Sequence, residues 1–280
     1  SSATSGLHIQ NIALGNFIAN ELSRSFHLAL DAVREFSTES FKEFVHFENG
    51  IHEIKGILGQ GITDIDQFKH DLIDISFELG QNVAKDAEYI KRVLTAGIID
   101  ETDIEKIKES LNKPFLTANE AKAEAAKEIY EKAAKFSLAS GSEIYDVIHA
   151  VITAKTNYKI PFEDVDALLN KLKVMGTESK FSLKEVIPQL GAISSAVIQP
   201  GLSLEEGLSA FTTVGNGLEN APAAKTAVVN LFNKLVKPKA QDKGFASSLG
   251  LDFSVKGMQD AGGLIGQLTK IQNALKGIED

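Results

Sequence analysis

Cysteine is missing from all 280 residues. Its absence removes disulfide cross-links, thiolate-ligated zinc, iron–sulfur clusters and thiol nucleophiles from this stretch of chain, and leaves the redox compartment open. Tryptophan is missing too, and tyrosine occurs only four times, so the aromatic content rests on 16 phenylalanines. The six prolines sit mostly near segment ends, where helices tolerate them. No run reaches the ~18 apolar residues that would cross a bilayer, and no basic-plus-apolar leader opens the sequence. Positive charge is in deficit: 29 Lys+Arg against 38 Asp+Glu give a net charge of −9. Nucleic-acid binding rests on a concentrated basic surface, so sequence-specific binding is not expected here. The chain opens on Ser1-Ser2 rather than Met, as expected of a fragment of something longer.

The sequence is rich in helix punctuation. A Ser, Thr or Asp followed three residues later by Glu or Gln can satisfy two unpaired amides at a helix start. That spacing recurs at Ser40/Glu43, Asp64/Gln67, Thr102/Glu105, Thr117/Glu120, Ser182/Glu185 and Ser203/Glu206. Gly80, Gly97, Gly141 and Gly176 follow apolar runs at positions suited to left-handed helix ends. Pro161 and Pro222 suit first helical turns. Between these marks apolar residues step by three and four, which predicts helices near 40–58, 64–79, 82–96, 100–111, 118–139, 142–156, 161–175, 183–198, 204–216, 222–237 and 259–276. Residues 1–38 read as one long amphipathic helix whose face collects Ile9, Leu14, Phe17, Ile18, Leu22, Leu28 and Val33. Leu251, Phe253 and Val255 alternate around a turn, which leaves a two-stranded hairpin open over 250–259. The expected fold is all-α: a compact array of antiparallel helical hairpins over 39–280, with the first helix partly separate.

The stretch GNGLENAPAAKTAVVNLF, Gly215 to Phe232, has the look of a phosphate loop feeding a helix. A Walker-type loop ending on Lys225-Thr226 needs glycine at 219 and 224, and Glu219 and Ala224 stand there. A side chain at 224 obstructs the backbone approach, and Glu219 sets an anion beside the phosphate. The stretch reads instead as a close-packed helix corner built by Gly217, Pro222, Ala224 and Thr226. Gly215 or Gly217 ends one helix, and Val228, Val229, Leu231, Phe232 and Leu235 form the buried face of the next.

The other chemistry-bearing residues read as structural. His46 and His52 lie six apart around Gly50, whereas two helical metal ligands sit three or four apart. His149, within DVIHAVIT, reads as a histidine at the core edge bonded to a neighbour, with a general base as the rival reading. Carboxylates alternate with lysines in AKAEAAKEIYEKAAK, the spacing of a solvated helix face. Lys234, Lys237, Lys239 and Lys243 read as a helix end carrying complementary charge. No catalytic residue, metal ligand or cofactor-binding residue is assigned.

Several segments, in the same order along the chain, resemble the core region of bacteriophage tail tape-measure proteins. Ser182–Gly217 is similar to one helix pattern of that family, and Ala224-Lys225-Thr226-Ala227-Val228 to its small-residue helix start. Leu249–Leu268 is similar to a Leu-Gly-rich segment that follows. FKEFVHFENGIHEIKGIL resembles the family's opening helix, and IYDVIHAVITAKTNYKIPFEDVDALLNKL its middle helix pair. The likeness covers roughly residues 41–275 and is best over 140–270; Lys225 replaces a common glycine, and 60–115 matches loosely. The resemblance implies a structural role without catalysis. Such proteins occupy the tail lumen during assembly, set tail length, and leave through the tail tip as DNA is ejected. The implied location is the virion tail, and the host cytoplasm during assembly. The implied partners are the chain itself as a trimer or hexamer, the tail tube protein and tip or baseplate hub proteins. A ruler needs a continuous helix, and this chain is broken every 15 to 20 residues, so it reads as a compact domain of such a protein. Leu14, Phe17, Ile18 and Leu22 are the expected self-association or partner face. The rival reading is a helical adaptor whose first helix lies on a membrane surface, disfavoured because that helix has only Arg24 and Arg34 as strong cations.

Overall fold

The computed structural model describes residues 39–59, 62, 64–236, 244, 246–247 and 250–279. The long helix expected over 1–38 lies outside the described residues. Every regular element among the described residues is helical. In chain order these are α1 (39–58), α2 (Ile65–Glu78), α3 (Val83–Thr95), α4 (Glu101–Ser110), α5 (Ala118–Ser140), α6 (Ile144–Tyr158), α7 (Val165–Glu178), α8 (Leu183–Val186), α9 (Leu190–Val197), α10 (Leu204–Gly215), α11 (Ala221–Val236), α12 (Val255–Asp260) and α13 (Gly263–Glu279). Single 3₁₀ turns, Phe162–Asp164 and Ile187–Gln189, precede α7 and α9.

Local chemistry accounts for most of these boundaries. Thr117, Ser182 and Ser203 each form a complete capping box with the glutamate three residues on. Asp64 caps α2 through the Gln67 amide, while the Gln67 side chain turns instead to Asp71. Two expected boxes fall elsewhere. Ser40 lies inside α1. Asp100, not Thr102, caps α4: its carboxylate takes the Asp103 N–H at 2.9 Å and Asp103 returns the contact at 3.3 Å. Gly80, Gly97 and Gly141 have positive φ at helix ends. Gly176 does not end a helix; it lies within α7, where any Cβ would collide with Leu183. The helix expected over 183–198 is broken at Pro188 by the 3₁₀ turn, because proline supplies no amide to continue the ladder. The expected 259–276 helix starts at Gly263 and is preceded by the separate α12. No hairpin forms at 250–259, because Asp252 accepts the Ser254 N–H at 2.8 Å and Ser254 caps α12 through the Gly257 N–H at 3.0 Å.

The packing centres on α5, which touches α2, α3, α4, α6 and α7. Its buried Ala121, Ala123, Ala125, Ala126, Ala133 and Ala134 admit neighbours on several sides, with Ile129 and Tyr130 filling the interior. On its far side α6 packs against α9, and α9 gathers α10 and α11. Small residues set these approaches: at Gly50 a Cβ would lie 3.0 Å from Ala87, and at Gly207 it would overlap Val197. One contiguous buried cluster runs from Phe47 in α1 to Leu264 in α13.

Candidate functional site

The expected corner is the junction of α10 and α11. Asn220 caps α11 by accepting the Ala223 N–H at 2.9 Å, and Thr226 donates to the Pro222 carbonyl at 2.9 Å. Ala224 is fully buried, while Gly217, Pro222 and Thr226 are exposed. The close approach falls at Gly215, the last residue of α10: a Cβ there would stand 2.9 Å from Phe181 and 3.5 Å from Ala224. Phe181 packs in turn on Phe211, ring centroids 6.2 Å apart. Lys225 is half-buried. Gly215, Ala224, Phe181 and Phe211 form a packed joint of small and aromatic side chains, and of the four expected corner residues only Ala224 belongs to it.

Two buried carboxylates lie deeper. Asp103 in α4 and Lys155 in α6 form an ion pair at 3.2 Å, both nearly sealed from solvent. Lys155 also donates to the Ile160 carbonyl at 2.7 Å, and Asp103 accepts the Phe162 N–H at 2.8 Å. This staple ties α4, α6 and the entry to α7 together. Asp86 in α3 is the opposite case. It is 1 % exposed, and neither carboxylate oxygen has an aligned donor. Burial pushes its pKa up, partly offset by the neighbouring hydroxyls of Ser76 and Tyr130. Ser76 spends its own proton on the Leu72 carbonyl at 2.8 Å. Burial, reinforced by the Asp86 charge, also raises the Tyr130 pKa. The spacing of apolar residues marks none of Asp86, Asp103 and Lys155 as special. The partner of Lys155 lies 52 residues earlier, and only a charged residue on an otherwise apolar face could have signalled the pair.

Along the outside, α2, α5 and α7 border a groove of ≈ 730 Å³ lined by interleaved charges. Lys127 pairs with Asp71 and with Glu124 at 2.9 Å; Lys132 pairs with Glu128 at 2.8 Å and Asp166 at 2.9 Å. Burial raises the Asp71 pKa, but hydrogen bonds from Lys127 and Gln67 outweigh it and hold the carboxyl below its ordinary value. The cations here are matched by carboxylates, so the groove is a ladder of internal pairs. His46 lines a second groove between α1 and α3 with Glu43, Glu53 and Glu88, and His52 is exposed on α1. Among the described residues no grouping of three or more His, Asp or Glu could hold a metal. His149 is exposed, stacked on Tyr145 with ring centroids 6.4 Å apart. A Cβ at Gly191 would lie 3.0 Å from its ring, so that glycine makes room for it.

Exposed large apolar side chains are spread over several elements, among them Ile57 on α1, Phe115 before α5, and Ile265 and Leu268 on α13. Phe41, Phe44, Val45 and Phe77 are 67, 57, 38 and 77 % exposed. Leu14, Phe17, Ile18 and Leu22, the expected contact face, lie outside the described residues. Among the described residues no helix is long and apolar enough to cross a membrane.

A helical body held by caps, packed joints and internal ion pairs is a structural frame. The family model of phage-related minor tail proteins matches residues 93–280, well over half of the chain. The chain belongs to the phage-related minor tail protein family. Its role is that of a structural component of the phage tail, and its location is the virion tail. No curated protein and no solved structure matches the chain. The family match begins at Val93, near the end of α3, and takes in the α10–α11 corner and the Asp103–Lys155 staple. Asp86 and the α1–α2 phenylalanines precede it.

Proposed function

We propose that this minor tail protein chain is a compact helical domain of a tape-measure-type protein. It takes part in tail assembly and length determination and leaves through the tail tip during DNA ejection. The supporting observation is the family match combined with the brevity of the helices. The longest described helix, α5, has 23 residues and spans only ~35 Å at 1.5 Å per residue. The domain is therefore a folded body attached to a ruler rather than the ruler itself. Its partners are tail components: the tube protein, the tip or baseplate hub, and further copies of the chain as a trimer or hexamer. The Leu14, Phe17, Ile18 and Leu22 stripe is the face through which copies or partners meet, because an amphipathic helix cannot bury its own stripe. The domain acts by packing, and no catalytic step is assigned to it.

The test is electron microscopy of tails carrying in-frame deletions within 221–279. The expected result is loss of complete tails with no graded change in the length of those that form. Shortening by ~1.5 Å for every residue removed would make this region part of the ruler and sink the reading.

A further inference from the structure

The charged groove over α5 does not end at Asp71. A second groove of ≈ 470 Å³ opens beside it, and Asp71 and Glu124 line both. Together they follow one face of α5, because Glu120, Glu124, Lys127, Glu131 and Lys135 of the lining step by three or four residues. From Glu120 to Lys135 that face is ~22 Å long at 1.5 Å per residue. Its flanks are set by two ion pairs: Lys127 reaches Asp71 of α2, and Lys132 reaches Asp166 of α7. These lysines are five residues apart, which is ~140° round a helix of 3.6 residues per turn. Glu124, Glu128, Glu131 and Lys135 fall within that arc, so they form the floor of a trough whose walls are α2 and α7. A straight strip of helix with a helix on either flank is the seat that a further helix takes, its axis roughly 8–10 Å above the floor helix.

The sign of the trough selects its occupant. Six carboxylates and three lysines line the larger groove, and the smaller one adds Asp64 and Glu120 against Lys113. The lysines of the larger groove are committed: Lys127 bridges Asp71 and Glu124, Lys132 bridges Glu128 and Asp166, and Lys135 pairs with Glu131. Asp74, exposed on the α2 wall, is paired with none of them. The far end is apolar, lined by Ile62, Phe68 and Leu116, with Phe115 79 % exposed beside them. We infer that this trough seats a cationic amphipathic helix of another tail component. Its lysines or arginines, at four-residue steps, come over Glu124, Glu128 and Glu131 in turn, and its large apolar side chains cover Phe115 and Leu116. The excess of carboxylates repels phosphate, so neither nucleic acid nor an anionic lipid surface suits the same strip. The trough is separate from the Leu14, Phe17, Ile18 and Leu22 stripe, and failure of either surface leaves the other standing.

The probe is a fluorescent helical peptide of about 16 residues, ~24 Å long, with two leucines in its first turn and a lysine at every fourth position after them. Titrated with the full chain and followed by anisotropy, it is expected to bind, and to bind less tightly as salt rises. Asp74→Lys combined with Asp166→Lys sets a cation on each wall and should lower the affinity roughly tenfold or more. Glu219→Lys combined with Asp260→Lys makes the same change in net charge at two exposed positions outside both grooves. That pair should change the affinity by less than about twofold, because charges beyond a Debye length are screened. Phe115→Ser should weaken the leucine peptide and leave a peptide with serines in place of the leucines unaffected. Equal losses in the two charge-reversed proteins would assign the attraction to overall charge and overturn the inference. A peptide that does not bind the unsubstituted chain would overturn it as well, and so would displacement of the bound peptide by a short DNA duplex or by anionic vesicles.

Discussion

Asp103 and Asp86 are the same residue type, both on helices packed against α5, and 3 and 1 % exposed. Asp103 has a cation, two backbone amides and a defined geometry, whereas Asp86 has two hydroxyl neighbours and no aligned donor. Burial therefore has opposite meanings in the two places. Around Asp103 it isolates a satisfied network that joins α4 to the distant stretch running from α6 to the entry of α7. Around Asp86 it penalises charge and favours the protonated acid. A satisfied buried pair is costly to break from one side, although an apolar pair of similar volume can replace it.

Removing one member of the satisfied pair should have the largest effect. Lys155→Met leaves Asp103 a buried, uncompensated carboxylate and is expected to cost about 3–5 kcal/mol in chemical denaturation at neutral pH. Pairing it with Asp103→Leu should recover much of that loss; if the double variant is as unstable as the single one, the staple is not electrostatic. A purely steric change gives the baseline against which these electrostatic effects are read. Ala224→Leu forces a large side chain against Gly215 and Phe181 and should cost about 1–3 kcal/mol, with no dependence on pH.

Asp86→Asn should go the other way. Because the folded-state pKa is raised, the wild-type carboxyl favours folding in its protonated form, and that contribution is complete below the unfolded value of ~4. It is lost as pH rises through the folded value, so the variant should gain on wild type as pH rises from ~4 toward neutrality, by on the order of 1 kcal/mol. Thermal melts across that range would show it, and a constant difference between the two proteins would refute the buried-charge account. The smallest effect is expected for Lys225→Ala, within about 0.5 kcal/mol of wild type. Loss of tail assembly in that variant without loss of stability would show that the lysine meets a partner.

What could be read from the sequence was local. Capping boxes at Thr117, Ser182 and Ser203, left-handed glycines at 80, 97 and 141, and the three-and-four spacing of apolar residues place the helices and the all-α class, because each depends on neighbours within a turn. The misplacements came where a second local signal competed or the cause was distant. Asp100 out-competes Thr102 because an aspartate at N3 completes its box. Gly176 looks like a terminator, yet it is glycine because Leu183 lies against it. The corner could be located in sequence, but the choice between Gly215 and Gly217 depends on Phe181, more than thirty residues earlier. The Asp103–Lys155 staple and the orphaned Asp86 leave at most a charged residue on an otherwise apolar face, which does not name a partner 52 residues away.

One carboxylate serves two helices at the C-terminal side of the fold. Glu206 closes the capping box of α10 on Ser203 and, through its other oxygen, accepts the Leu264 N–H at 2.7 Å. Gly262 and Gly263 both have positive φ, and a Cβ at Gly263 would strike that carboxylate. The 17 residues of α13 span ~25 Å and are held near their start by that carboxylate, by the buried Leu264 and by Gln267, whose amide donates to the Asp252 carbonyl at 3.0 Å. The start of α13 is therefore tied to the start of α10 through one side chain, although 58 residues separate the two bonded positions.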